Sequence, residues 1–201
     1  MSFISNYQSL LDTIAQYAHR ADLDDFLGGF VQLAENRIYR ELSAPEMGDT
    51  FSFTSTDAVT DLPGDFIRLR ELSVVSGSAG GTYALNGVGR HAIARLRRTT
   101  GSPTAYSIQG RTIEMQPGGA GQDYEMFYIA KPAPLFFVST NAVLTVYPSL
   151  FLYASLIELG AWTQDLEIAS NATINYDRLL AQAVNDAEAL RWGEAPMMSA
   201  L

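Results

Sequence analysis

The 201-residue chain has no cysteine, one lysine, two histidines and no long apolar run. Without cysteine it can form neither disulfides nor thiolate metal sites, and it has no cysteine nucleophile. Its longest clearly apolar stretches, residues 134–138 and 150–153, are far shorter than the roughly 20 residues that span a bilayer. The N-terminus also lacks the basic and apolar regions of a secretory signal. We therefore expect a soluble protein of a reducing compartment, with no membrane segment.

Positive charge is scarce, since 13 basic residues face 22 acidic ones and the net charge is −9. Nucleic-acid readers gain affinity from cation-rich surfaces, so this balance disfavours a sequence-specific reader. Lys131 is the only lysine, and all other basic residues are arginines. Protein interfaces favour arginine and aromatic residues over lysine. The composition therefore fits either the bias of a GC-rich genome or a surface that lies against partners.

Apolar residues recur at helical spacing near the N-terminus and predict two helices within residues 1–42. Ser5 and Gln8 have the spacing of a capping box, which places the start of the first helix there. The second helix is expected to begin at Asp22. Gly28 and Gly29 lie in its middle and indicate close approach by a neighbouring element, because glycine otherwise weakens a helix.

Helical periodicity returns after residue 146. Residues 147–162 are apolar on nearly all sides and predict the most buried helix, with Pro148 in its first turn. Residues 166–191 carry one apolar stripe, which predicts a long amphipathic helix. Residues 193–201 are expected to form a flexible tail.

Short runs of aromatic and β-branched residues, separated by glycine and proline, fill the middle of the chain. We expect strands at residues 51–54, 66–75, 105–109, 112–115 and 124–131, a hairpin turning at Gly110, and a short basic helix at residues 90–98. The sequence therefore predicts an α+β fold. We expect an antiparallel helical bundle, formed by residues 1–45 and 141–192. We also expect an inserted antiparallel β-rich module, formed by residues 46–140.

Motifs that carry catalysis or cofactor binding have little support. Residues 87–92 match the G-x-G-x-x-G/A pattern, but no βαβ unit surrounds them and no acidic residue lies about 20 positions further on. Asp22, Asp24 and Asp25 suit the start of a helix better than a metal site. We therefore expect no catalytic residue, no cofactor and no metal.

The one concentrated basic feature consists of Arg90, Arg95, Arg97 and Arg98. On an acidic chain it is too small to serve alone as a nucleic-acid surface. Two interpretations remain open: a solvated helix face, or a contact with acidic groups of another subunit.

Two segments together resemble a known family. Residues 61–72, with Leu62, Pro63, Asp65 and Phe66, are similar to a strand entry of the head-to-tail adaptor (connector) proteins of tailed bacteriophages. Residues 147–160, which follow the pattern of a helix in that family, form the second segment. The positions of this second segment that match the family are Tyr147, Pro148, Leu152, Tyr153 and Glu158. The chain departs from the family at Leu159 and Gly160, where alanines are usual, and in its glycine-rich residues 77–89.

The resemblance implies a structural virion protein of the neck, assembled in the bacterial host cytoplasm. Such a protein forms a ring, typically of twelve copies, which docks on the portal, joins a tail or nozzle protein and continues the channel for genomic DNA. No catalytic residues are implied, and the matched positions are expected to be structural.

Two further expectations complete the sequence-based interpretation. Met197 and Met198 in the tail, together with the four arginines, are candidate interface residues. The alternative function is a small-ligand binding or enzymatic α+β domain with a pocket near residues 77–98. Another neck ring, such as a terminator or stopper, is a third possibility.

Overall fold

The computed structural model describes residues 4–19, 21–42, 44–75 and 81–193. Within them the helices are α1 (Tyr7–Ala18), α2 (Asp24–Glu41), α3 (Arg90–Leu96), α4 (Leu135–Val138), α5 (Ala142–Val146), α6 (Pro148–Thr163) and α7 (Leu166–Gly193). The strands are β1 (Gly48–Thr54), β2 (Val59–Asp61), β3 (Phe66–Val74), β4 (Tyr83–Ala84), β5 (Asn86–Gly87), β6 (Ala105–Gln109), β7 (Thr112–Gln116) and β8 (Asp123–Ala130). Short 3₁₀ helices at Ala21–Leu23 and Pro45–Met47 precede α2 and β1. The fold class is α+β, as predicted.

The chain divides into two compact units. A helical unit combines Met1–Met47 with Pro132–Leu201, and a β unit consists of Gly48–Lys131. The β unit is thus a single insertion between two parts of the helical unit.

Helix α6 is the centre of the helical unit and packs against α1, α2 and α7. Its buried residues include Leu150, Phe151, Leu152, Ala154, Leu156 and Leu159. Polar links also join the helices: Arg37 of α2 donates to Glu158 of α6, with 3.1 Å from Nε to Oε1. Tyr176 of α7 donates to Glu41 of α2 at 2.6 Å. Burial raises the pKa of Tyr176, and this hydrogen bond raises it further.

The starts of α1 and α2 differ from the sequence prediction. Asn6 caps α1 instead of Ser5: its Oδ1 accepts from Ser9 N–H at 2.9 Å, and Ser9 Oγ accepts from Asn6 N–H at 3.0 Å. Asn6 and Ser9 have the same spacing as Ser5 and Gln8, so spacing alone did not fix the register. Helix α2 begins at Asp24 because the 3₁₀ helix occupies the preceding residues.

Only one of the two adjacent glycines in α2 meets the predicted close neighbour. A Cβ atom at Gly28 would lie 2.9 Å from Tyr7 Oη, whereas a Cβ at Gly29 would meet nothing within 4 Å.

Two four-stranded sheets make up the β unit. Sheet A has the order β1-β8-β3-β4, and sheet B has the order β2-β7-β6-β5. One apolar core lies between the sheets. Sheet A contributes Leu72, Val74, Tyr124, Met126, Tyr128 and Ala130 to this core. Sheet B contributes Ile113 and Met115. The unit is therefore a β-sandwich.

The five longer strands lie where the sequence predicts them, to within a few residues at their ends. The hairpin turn at Gly110 is confirmed, and its φ of +63° is the left-handed conformation that glycine favours. Two features were not predicted. Strands β2, β4 and β5 have only two or three residues each, and β5 runs parallel to β6, so sheet B is mixed instead of purely antiparallel.

Candidate interaction surfaces

An arginine directly after α3 holds this helix on sheet B. Arg97, which follows α3, binds Glu114 of β7 in a bidentate pair, with Nε–Oε1 at 2.6 Å and Nη2–Oε2 at 2.7 Å. The hydrogen bond from Arg97 lowers the pKa of the Glu114 carboxyl below its ordinary value. Ile93 of α3 is fully buried. Of the four predicted arginines, Arg97 is therefore paired with a carboxylate of its own chain.

The other three arginines face solvent. Arg90, Arg95 and Arg98 are exposed, and their guanidinium groups form no ion pair within the residues that the structure describes. They remain candidates for contact with another molecule.

The residues of the first family segment hold the start of β3 in place. Leu62 is buried in the sandwich core. The Pro63 carbonyl accepts from Phe66 N–H at 3.2 Å. The Asp65 carboxylate accepts from the Tyr128 hydroxyl at 3.1 Å, and Phe66 stacks on the same ring at 5.8 Å between centroids. Burial raises the pKa of Tyr128 to about 12, and Asp65 adds to the shift.

Residues of the second segment have equivalent roles in the helical unit. Tyr147 precedes α6, and Pro148 is its first residue, where no N–H is needed. Burial raises the pKa of Tyr153, and the neighbouring Tyr17 of α1 raises it further. Glu158 forms the ion pair with α2 described above. These contacts all join residues of the helical unit.

The most exposed aromatic pair of the described residues was not singled out by the sequence. Phe136 and Phe137 of α4 are 72% and 79% exposed, whereas the preceding Leu135 is fully buried. They form one wall of a groove of about 350 Å³, whose other lining residues belong to α1, α2 and the segment before α4: Tyr7, Gly28, Gly29, Val31, Gln32, Glu35 and Pro134. The groove lies wholly within the helical unit.

Hydrogen bonds fix the position of α4. The buried Glu35 carboxylate accepts from Leu135 N–H at 2.9 Å, and the Ser139 carbonyl accepts from Tyr7 N–H at 2.6 Å. Phe136 also meets the Tyr7 ring edge-on, with 6.4 Å between centroids. The two phenylalanines are thus held outward by a positioned backbone.

A signal for this surface was present in the sequence. Residues 134–138 form an apolar stretch that is too short to span a membrane. A helix of four residues cannot bury all its apolar side chains on one side, because they project over a full turn. Such a segment therefore indicates exposed rings.

Most of the predicted pocket region, residues 77–98, lies within the described residues. Residues 76–80 lie outside the described residues, as do Met197, Met198 and the tail from residue 194 onward. In the glycine pattern, Gly87 ends β5, where a Cβ would lie 2.9 Å from Tyr106 Oη, and α3 begins at Arg90. A groove of about 400 Å³ lies nearby on sheet A and includes Thr82 and Asp123.

Among the described residues, no three histidine, aspartate or glutamate side chains are grouped closely enough to hold a metal ion. None of the described helices combines the length and apolar character needed to cross a bilayer.

Comparison with known proteins agrees with the two family segments. No curated protein matches the chain. Residues 5–199, nearly the whole sequence, match the family described as SU10 adaptor protein. The match spans both helical parts and the inserted β unit. The chain belongs to the SU10 adaptor protein family and is a structural adaptor component of a bacteriophage virion.

Proposed function

We propose that this chain is the subunit of a head-to-tail adaptor ring, of about twelve copies by family resemblance, in the neck of the virion. The ring docks on the portal protein, joins a tail or nozzle protein and continues the DNA channel. It assembles in the host cytoplasm and acts by binding alone, without a catalytic step. The family match supports this role.

The observation that carries the proposal is the groove beside Phe136 and Phe137. Large exposed apolar patches on soluble proteins mark surfaces that contact other molecules. Aromatic side chains dominate the energy of protein interfaces. Two adjacent rings, each more than two-thirds exposed and held by a fixed backbone, fit a surface that is covered on assembly.

Charge also supports passage of DNA. Binding to DNA strengthens with the number of phosphates that basic residues neutralise. A chain with a net charge of −9 has little tendency to hold DNA that must slide past it. The same acidity disfavours a role in packaging by tight DNA binding.

Assembly with the portal tests the proposal. The full chain is mixed with portal rings of the same phage, and bound copies per portal are counted by native mass spectrometry or cryo-EM. We expect a closed ring on the portal. The double variant F136S/F137S should bind about thirtyfold or more weakly, since an interface hot spot contributes about 2 kcal/mol or more.

A matched control uses two other exposed apolar residues, Leu166 and Ile174 of α7, which are 82% and 69% exposed. The variant L166S/I174S removes similar apolar area and should bind as the unaltered chain does. If the unaltered chain binds no portal and forms no ring, the adaptor proposal is wrong. Equal loss in both variants would show that the groove has no special part in assembly.

A further inference from the structure

One face of the β-sandwich is acidic. Along β8 the side chains alternate, so that Tyr124, Met126 and Tyr128 face the core while Asp123, Glu125 and Phe127 face outward. Glu71 of β3 lies opposite Phe127 and shares the outward face. We call Glu71, Asp123 and Glu125 the acidic face. All three residues are exposed, and Phe127 between them is 45% exposed.

The far side of the same sandwich is basic. Ile113 and Met115 of β7 face the core, so Glu114 between them points away from it, and Arg97 binds there. Helix α3 therefore covers the outer side of sheet B. Arg90 and Arg95 of α3 are exposed to solvent, as is Arg98, which lies two residues beyond the end of this helix. We call these three arginines the basic face.

The two faces are separated by both sheets and by α3, so they cannot neutralise each other within one copy. Each lies within reach of a second molecule instead. We propose that the basic face of one copy binds the acidic face of the next copy in the ring, an inference that rests on the ring proposed above.

Charge complementarity favours a second copy as the partner. Three arginines oppose three carboxylates, and Phe127 supplies an apolar centre to the contact. A face-to-face dimer would bring like charges together, whereas head-to-tail contact pairs opposite charges and leaves both faces available for a further copy. This is the heterologous contact that closes rings. Arg68, on the next outward row of β3, borders the acidic face and limits where the partner can sit.

Charge reversal on each face tests the contact in the full chain. R95E/R98E reverses two positions of the basic face and leaves Arg97 on Glu114. E71R/E125R reverses two positions of the acidic face. We expect each double variant to weaken association between copies on the portal by roughly tenfold or more, since two ion pairs become repulsive. The fourfold variant, which restores opposite charges with the faces exchanged, should close rings again.

A control variant, R40E/R178E, makes the same change in net charge as R95E/R98E, but at two exposed arginines of the helical unit. Circular dichroism and thermal unfolding check that every variant folds. Rescue by the fourfold variant supports the inference. Normal rings from R95E/R98E, or no rescue in the fourfold variant, overturn it while the adaptor proposal stands. If R95E/R98E forms normal rings but binds duplex DNA more weakly than the unaltered chain, the inference is also wrong, because the basic face would then contact DNA.

Discussion

Gly160 lies where α6 meets the beginning of α7, and the backbone of the second helix passes directly over it. A Cβ at this position would lie 2.7 Å from the amide nitrogen of Ala169 and 3.0 Å from its Cα. The turn between the helices is tight, since Gln164 adopts a left-handed conformation and Asp165 N–H bonds to the Gly160 carbonyl at 2.9 Å. Backbone atoms cannot move aside as a flexible side chain can, so the position requires glycine.

We therefore predict that G160A destabilises the protein by about 1–3 kcal/mol, the usual range for an added methyl group in a packed site. Chemical denaturation measures the change. G29A is the matched control in α2, where a Cβ meets nothing within 4 Å. It should be neutral or raise stability by up to about 1 kcal/mol, because alanine favours the helix. A G160A variant as stable as G29A would contradict the prediction.

At the scale of the elements, one ion pair adds to the packing that holds α3. The helix has seven residues and only Ile93 is buried, so helix propensity and packing alone hold it weakly. The Arg97–Glu114 pair joins its C-terminal end to β7, and Gln116 adds a hydrogen bond to Glu114 at 3.2 Å. This pair determines which side of the sandwich carries the remaining arginines.

Acid should remove the contribution of this pair. Because the folded pKa of Glu114 is lowered, its stabilising effect is complete above the unfolded pKa of about 4.3 and is lost as pH falls through the lower folded pKa. We predict that R97L lowers the melting temperature at pH 7 more than at about pH 3.

A double-mutant cycle with E114Q isolates the pair from other titrating carboxylates. The coupling between positions 97 and 114 should be smaller at about pH 3 than at pH 7, because the loss begins below the unfolded pKa of Glu114. Equal coupling at both values would show that packing, and not charge, holds α3.

Element length decided which elements could be predicted. The period of helices α1, α2, α6 and α7 and the alternation of the longer strands are visible because each repeats several times. Helices α4 and α5 have four and five residues, so neither completes a repeat that a pattern could reveal. Their positions depend on Glu35 and on the Asn141 cap, whose Oδ1 accepts from Leu144 N–H at 2.9 Å.

On the scale of the whole molecule, the two ends of the inserted β unit lie close together. Its first strand begins at Gly48, which pairs with Ile129 near its last residue. The unit has its own core between two sheets. An insertion with adjacent ends and a separate core has the features of an independently folding domain.

We predict that a fragment of residues 48–131 folds alone and unfolds cooperatively on heating. Far-ultraviolet circular dichroism and amide exchange measure this. The control fragment, residues 48–122, lacks β8, which lies between β1 and β3 in sheet A. It should remain unfolded, because both neighbours lose their hydrogen-bonding partner. A fragment 48–131 without a cooperative transition would show that the β unit needs the helical unit.

The α+β class, the long helices, the longer strands and the family can all be inferred from the amino-acid sequence alone, because periodicity and ordered motifs depend on residues that are close together in the chain. Which charged groups and aromatic rings are exposed depends instead on contacts between residues that are far apart in the chain. Arg97 could be separated from Arg90, Arg95 and Arg98 only once β7 placed Glu114 beside it, 17 residues away. Phe136 and Phe137 became a surface only when Glu35, 100 residues before Leu135, fixed α4. Contacts between distant residues have no local period, so the interaction surfaces emerge only from the folded chain.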